Sequence, residues 1–172
     1  MSLKRNIAVV GCGYWGKNLV RNFHELNVLR YICDPDQTLA NKISRQYDIE
    51  SITFSEALKD NEVEGIILAV PAALHAKMAV EAMNHGKHVF VEKPLALNEE
   101  EGRKMIDSAR KNHVHLMVGH LLQYHPVFIE LKNIVHNGGL GNLNYIYSNR
   151  LSFGKVRAEE DVLWSFAPHD IS

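Results

Sequence analysis

NIAVVGCGYWG, residues 6–16, is a short apolar run that ends in a GxGxxG turn, and a segment of helical period follows it. Strand, glycine turn and helix, in that order, open a βαβ unit. Gly11 permits the tight turn, Gly13 lets a pyrophosphate approach the backbone, and Gly16 lets the helix lie close on the strand. Tyr14 and Trp15 complete the loop, and the free N–H groups of the helix N-terminus face the same phosphates. By itself the motif reads equally well as a glycine-rich surface turn.

The alternation continues outward from this stretch. Residues 6–10 read as a first strand and 13–26 as a helix with Trp15, Leu19, Phe23 and Leu26 on one face. Residues 28–33 form a second strand and 38–47 a second helix, with Leu39, Ile43 and Tyr47 in register. Ile52 and Phe54 suggest a short third strand, after which Ser55 caps a brief helix through Lys59. A fully apolar fourth strand, 65–70, stops at Pro71, and a helix over 74–85 is closed by Gly86. Residues 89–91 lie in a fifth strand. Asn98 and Glu101 make a capping pair for a helix to residue 112, with Met105, Ile106 and Ala109 inward, and 114–118 form a sixth strand. Strands that alternate with helices predict an α/β fold, a doubly wound parallel sheet of Rossmann type.

After Gly119 the pattern changes. A helix over 126–136 ends at Gly138-Gly139, and 143–153 alternates Leu143, Tyr145, Tyr147, Leu151 and Phe153, as a long half-buried strand of a different sheet does. The domains read as a dinucleotide-binding domain over 1–120 and the beginning of an α+β substrate and dimerisation domain over 121–172. One strand is not stable alone. The chain is therefore read as a fragment of a longer protein, or else as one whose partner supplies the remaining strands.

Composition narrows the ligand class. The 172 residues are 46% hydrophobic and 23% charged, enough for one substantial core, and the net charge is −1 with Lys and Arg scattered. That excludes an electrostatic surface for nucleic acid or an anionic membrane and points to small ligands. Cys12 and Cys33 stand outside any CxxC pairing, which fits free thiols in a reducing cytoplasm. Glycines and Lys17 interrupt the apolar run after Lys4 and Arg5, so it is not read as a signal peptide, and no stretch reaches the length of a membrane helix. Among ten histidines, His113 with His115 and His120 with His125 lie close in sequence, but no Cys or carboxylate cluster completes a ligand set, and no metal is expected.

Three further segments carry chemistry. Asp34 ends the second strand eighteen residues after Gly16, where a carboxylate accepts hydrogen bonds from the adenosine ribose hydroxyls. Asp36 adds repulsion against a 2′-phosphate, so NAD is expected over NADP. The bland reading is that Asp34-Pro35-Asp36 is only a turn. Ala69-Val70-Pro71-Ala72-Ala73 sits at the carboxyl edge of the sheet, where Ala69 and Pro71 suit a flat nicotinamide ring; His75 either caps or contacts the cofactor, or it faces solvent. In HVFVEKPLAL, residues 88–97, the fifth strand delivers Glu92 and Lys93 to that edge. A lysine there, partly desolvated and near the cofactor's positive charge, has a lowered pKa and exchanges a proton with a substrate hydroxyl. The Lys93-Pro94 bond is cis or trans, and the alternative reading is a surface ion pair at a strand end.

Together, the early GxGxxG, the acid after strand two, Ala-Val-Pro-Ala-Ala-Leu-His at 69–75 and Gly-Lys-His-Val-Phe-Val-Glu-Lys-Pro-Leu-Ala at 86–96 resemble the Gfo/Idh/MocA oxidoreductases. The resemblance covers essentially the whole chain. It implies a pyridine-nucleotide enzyme acting on a hydroxyl-bearing carbon of a sugar, inositol or nucleotide sugar. Lys93 matches the family's lysine at the reacting hydroxyl, and His169 the histidine placed as acid/base. Many members carry an aspartate one helical turn earlier, where this chain has Ser165, which puts a carboxylate-assisted relay in doubt. Tyr124, beside His125-Pro126, matches the link into the substrate domain and is expected to face the sugar; Tyr145 and Asn149 either line a polar pocket or pack. The family's open, mainly antiparallel second-domain sheet forms its dimer face, which implies a homo-oligomer in the full-length form. Two other functions stay open: a truncated, non-catalytic dinucleotide-binding module that needs a partner chain, and a reductase of an imine or tetrapyrrole, against which His169 argues.

Overall fold

The structure, a computed structural model, describes residues 4–149 together with Ala167 and Ile171. Six strands form one parallel sheet: β1 (Ile7–Val10), β2 (Leu29–Cys33), β3 (Glu50–Ser51), β4 (Gly65–Leu68), β5 (His88–Val91) and β6 (Leu116–Val118). Their order is β3-β2-β1-β4-β5-β6, so the chain runs outward one way from β1, returns, and runs outward the other way from β4. That reversal is the switch point at which open α/β sheets bind ligands.

Strand period explains the two layers. On β1, Ala8 and Val10 point into a core shared with α3 (Phe54–Lys59), α4 (Ala72–Asn84) and α5 (Glu99–Lys111), whereas Val9 points into a second core shared with α1 (Gly16–Glu25) and α2 (Gln37–Tyr47). On β4, Ile66 and Leu68 go with the first and Ile67 with the second. Successive side chains leave opposite faces of a strand, so an all-apolar run requires cover on both. All four residues of β4 are buried. At the opposite end of the sheet from the strand carboxyl ends, buried Lys87 donates from Nζ to the carbonyls of Asp60 and Val63, each at 2.7 Å, and burial lowers its pKa.

Several boundaries differ from the sequence reading. α1 starts at Gly16 with Trp15 as its N-cap, and its buried residues are Gly16 and Val20, so Trp15 and Leu26 stay 43% and 57% exposed. β3 is Glu50–Ser51, and Thr53 rather than Ser55 caps α3: its hydroxyl accepts from Glu56 N (3.2 Å) while the Glu56 carboxylate accepts from Thr53 N (2.8 Å), a complete capping box. On α5, Met105, Ser108 and Ala109 are buried and Ile106 is not. Asn98 caps α5 as expected, but the Glu101 carboxylate reaches back to Leu97 N.

The chain divides into two compact units, Met1–Gly119 and His120–Ser172. The second contains a 3-10 turn, Leu121–Tyr124, and α6 (Pro126–His136), which has no buried residue. The strand expected over 143–153 does not form within 143–149, where Tyr145 and Tyr147 are 82% and 79% exposed. A strand needs a paired neighbour, and none is present there among the described residues. Leu151 and Phe153 lie outside the described residues.

Candidate functional site

The glycine loop is built by close backbone contacts at the carboxyl end of β1. Gly11 N donates to Cys33 O of β2 (2.8 Å), and Ala69 N donates to Val10 O (2.8 Å), so the loop is tied to both neighbouring strands. Gly11 has φ +86, and a Cβ on it would lie 2.5 Å from the Ala69 carbonyl oxygen; one on Gly16 would strike the Gly11 carbonyl. Gly13 differs, because a Cβ there meets nothing within 4 Å. It borders open space, as a backbone kept bare for an approaching ligand does.

That space belongs to a cavity of about 560 Å³ lined by Val10, Gly11 and Gly13 of the β1 end, Cys33, Asp34, Pro35 and Gln37 after β2, Ile52, Thr53 and Phe54 at the start of α3, and Ala69, Val70, Pro71, Leu74 and Met78 from β4 into α4. Asp34 sits at the mouth of β2 with both oxygens held: Oδ2 accepts from Cys12 N (2.7 Å) and Oδ1 from Asp36 N (2.9 Å). A carboxylate has about four lone-pair sites, so two remain for a vicinal diol. Asp36 is the N-cap of α2, accepting from Thr38 N and Leu39 N, and its carboxylate is committed to the helix. Beside Asp34, burial pushes the thiols of Cys12 and Cys33 up to about 12, with the charge of Asp34 adding to Cys12 and that of Cys12 to Cys33. Both act as small apolar wall.

Glu92 and Lys93 stand at the carboxyl end of β5, where Glu92 N donates to Leu68 O (2.9 Å). The Trp15 indole N–H donates to Glu92 Oε1 at 2.6 Å, linking the glycine loop to this segment across β4. Glu92 also lies against Gly119, where a Cβ would come within 3.1 Å of Oε1. Lys93 is half-buried, and the Lys93-Pro94 peptide is cis.

Of the residues expected at the site, Gly11, Gly13, Asp34, Ala69 and Pro71 line the cavity. Tyr14 is 81% exposed on the loop, with the Lys17 ammonium 5.3 Å from its ring centroid. Gly16, Trp15, Glu92 and Lys93 border the loop and the β5 end rather than the lining. His75 matches neither expectation. It is fully buried, with Nδ1 2.7 Å from Pro94 O and Nε2 2.9 Å from Val70 O, so its polar atoms are spent on protein carbonyls. Tyr124 belongs to the second unit and is 65% exposed, and His169 and Ser165 lie outside the described residues. Sequence reasoning missed Gln37, Ile52, Thr53, Phe54, Leu74 and Met78. Leu74 and Met78 are four apart on α4, a spacing that ordinarily signals core.

Among the described residues no three His, Cys, Asp or Glu side chains gather to hold a metal, and no helix is long and apolar enough to cross a membrane.

Residues 5–120 match the family model described as "Oxidoreductase family, NAD-binding Rossmann fold". The chain belongs to the Gfo/Idh/MocA oxidoreductase family. Among relatives of this Gfo/Idh/MocA chain, the 2,7-anhydro-N-acetylneuraminate hydratase of Mediterraneibacter gnavus is 31% identical, over 83% of this chain and 38% of its own length. The scyllo-inositol 2-dehydrogenase (NAD(+)) of Bacillus subtilis is 29% identical over 80% of this chain and 42% of its own. A solved structure of GenD2 from gentamicin A biosynthesis, in complex with NAD, is 27% identical with a TM-score of 0.74, covering 81% of this chain and 41% of that one. The chain spans about 40% of the length of the curated relatives it matches.

Proposed function

We propose that this chain binds NAD in the crevice at the β1/β4 switch point and serves an oxidoreductase that moves a hydride between nicotinamide and a hydroxyl-bearing carbon of a sugar, inositol or nucleotide sugar. The observation that carries the reading is the 560 Å³ cavity itself, lined by both a bare Gly13 backbone and a doubly anchored Asp34. The apolar lining residues Ile52, Phe54, Leu74 and Met78 would suit a flat purine, and Asp34 would accept from the ribose diol. The bare backbone of Gly13 and the N-terminus of α1 would hold the pyrophosphate. The nicotinamide supplies the two-electron step, taking or returning hydride. On oxidation Lys93 Nζ, as the neutral amine, would accept the proton from the hydroxyl oxygen while the carbon gives up hydride, so that the C–O bond becomes a carbonyl, with His169 as the second acid/base group. Glu92, fixed by the Trp15 indole, borders Lys93 and keeps the segment oriented.

Names among the relatives support the substrate class: one acts on an inositol with NAD, and another on an anhydro sugar acid. Asp34 supports NAD over NADP, since its charge opposes a 2′-phosphate. Two buried, unpaired thiols support a reducing, cytoplasmic setting. A homo-oligomer formed through the second-domain sheet in the full-length protein completes the proposal, with neither nucleic acid nor membrane as a partner.

The test is titration of the chain with NADH and with NADPH, read by energy transfer from tryptophan to bound nicotinamide. Selective NADH binding is expected. Binding of neither, from a sample that circular dichroism shows to be folded, overturns the reading. In the full-length enzyme Lys93→Met is expected to keep NADH affinity and lose turnover, and retained turnover removes Lys93 from the chemistry.

A further inference from the structure

His75 lies in the first turn of α4, on the stripe Ala72, His75, Ala79, Ala82, Met83 that faces the core, and it is one of the largest fully buried side chains. Its ring spans two loops. Nε2 is 2.9 Å from the carbonyl of Val70, in the segment after β4 that lines the cavity, and Nδ1 is 2.7 Å from the carbonyl of Pro94, the residue after Lys93. Each nitrogen faces an acceptor, so each contact is a hydrogen bond only from a protonated nitrogen. A buried carbonyl without a donor is costly, and Pro94 itself is buried.

We propose that His75 is a positioning residue for Lys93: the N–H at Nδ1 holds the Pro94 carbonyl and thereby fixes how the Lys93 side chain enters the crevice. This rests on the reading of Lys93 given above. It assigns His75 a task through the backbone of the β5 loop, without contact to cofactor or substrate. The geometry also explains why a polar ring occupies an otherwise apolar stripe: Leu or Met there would fill the volume but offer the Pro94 carbonyl no donor.

The two contacts can be separated. Asparagine places an amide N–H near the position of Nδ1, and glutamine near that of Nε2. The lysines of the chain and of the variants His75→Asn and His75→Gln are reductively methylated with ¹³C-formaldehyde, which retains their charge, and the Lys93 resonance is assigned by its loss in Lys93→Arg. Without any cofactor, His75→Gln is expected to shift the Lys93 resonance to the position of the exposed lysines, whereas His75→Asn leaves it where the unsubstituted chain has it. Circular dichroism checks that each variant is folded. An unshifted Lys93 resonance in folded His75→Gln overturns the proposal, and so do equal shifts in both variants. If neither variant folds, long-range ¹H–¹⁵N spectra of the unsubstituted chain decide: a protonated Nδ1 on His75 supports the proposal and an unprotonated one overturns it. NADH is added last. If it moves no lysine resonance even in the unsubstituted chain, the cofactor reading fails, while the link between His75 and Lys93 is still judged from the cofactor-free spectra.

Discussion

One methyl group separates the two tasks of the glycine loop. At Gly13 it enters open space, and the residue has no left-handed backbone to strain, so Gly13→Ala is expected to keep the melting temperature and weaken NADH binding about tenfold or more, or about 1.4 kcal/mol. At Gly16 the same methyl meets the Gly11 carbonyl, so Gly16→Ala is expected to destabilise the fold by about 1–3 kcal/mol, the usual range for overpacking. Thermal melts beside NADH titrations check both, and a stability loss at Gly13 equal to that at Gly16 counts against the cavity as the ligand's place. The neighbouring thiols give a pH prediction. Cys12 and Cys33 titrate from 9.0 upward when unfolded but at about 12 in the fold, so between those values the unfolded chain binds fewer protons and stability falls as pH rises. The slope is at most about 1.4 kcal/mol per pH unit for each thiol. Urea melts from pH 8 to 11 are expected to show it, and the double variant Cys12→Ala, Cys33→Ala to flatten it.

At the scale of elements, the capping box of α3 has two duties, because Thr53 both starts the helix and lines the cavity. Thr53→Ala is expected to cost about 1 kcal/mol of stability, measured by chemical denaturation. A loss well below that means that water replaces the cap. The same element shows where sequence reading stopped. Apolar Ile52 and Phe54 alternate as a strand does, yet the pairing with β2 uses Glu50 and Ser51, because the backbone of Ile52 has only one more bond to give, to Ile32 O. The faces of α1 and α5 agree in part: Leu19, Phe23, Met105 and Ala109 pack inward as expected, whereas Trp15, Leu26 and Ile106 are exposed. The buried residues of α1 include the small Gly16 and those of α5 include Ser108, which bonds Asn84 of α4, so counting large apolar residues alone turns the expected face toward Trp15 and Ile106. β1 and β4 are legible because they read as apolar runs, β4 being buried throughout; β5 is legible from Val89-Phe90-Val91, although Phe90 is only half-buried and His88 is exposed. The polar half of the cavity, Gly11, Gly13 and Asp34, was legible from the glycine turn and the acid eighteen residues later taken together, since each by itself also reads as a surface turn. Its apolar half was not, since Leu74 and Met78 look like core from sequence. His75 was misplaced although its spacing from Ala72 and Ala79 puts it on the buried stripe; a histidine in a first turn suggests solvent until its two carbonyl partners are seen.

At the scale of the whole molecule, the sheet and the cavity proposed to hold the cofactor lie in one unit. All six strands, both buried clusters and the complete lining of the 560 Å³ cavity fall within Met1–Gly119. The second unit, by contrast, offers a helix with no buried residue and exposed Val127, Ile129 and Leu131. A domain is stable by itself when its own elements bury its own core, and the first unit meets that condition. Residues 1–120 produced alone are therefore expected to unfold cooperatively and to bind NADH within about threefold of the 172-residue chain, a difference of about 0.7 kcal/mol. β6 is where this is most exposed to failure. It is a three-residue edge strand, with Met117 43% exposed, and short edges resist pairing with other chains but hold little by themselves. Denaturation by urea, followed at once by circular dichroism and by NADH energy transfer, distinguishes the outcomes. Coincident transitions close to those of the longer chain place both stability and cofactor binding in the first unit, whereas a folded 1–120 that binds NADH more than tenfold more weakly shows that residues beyond 120 contribute to the site.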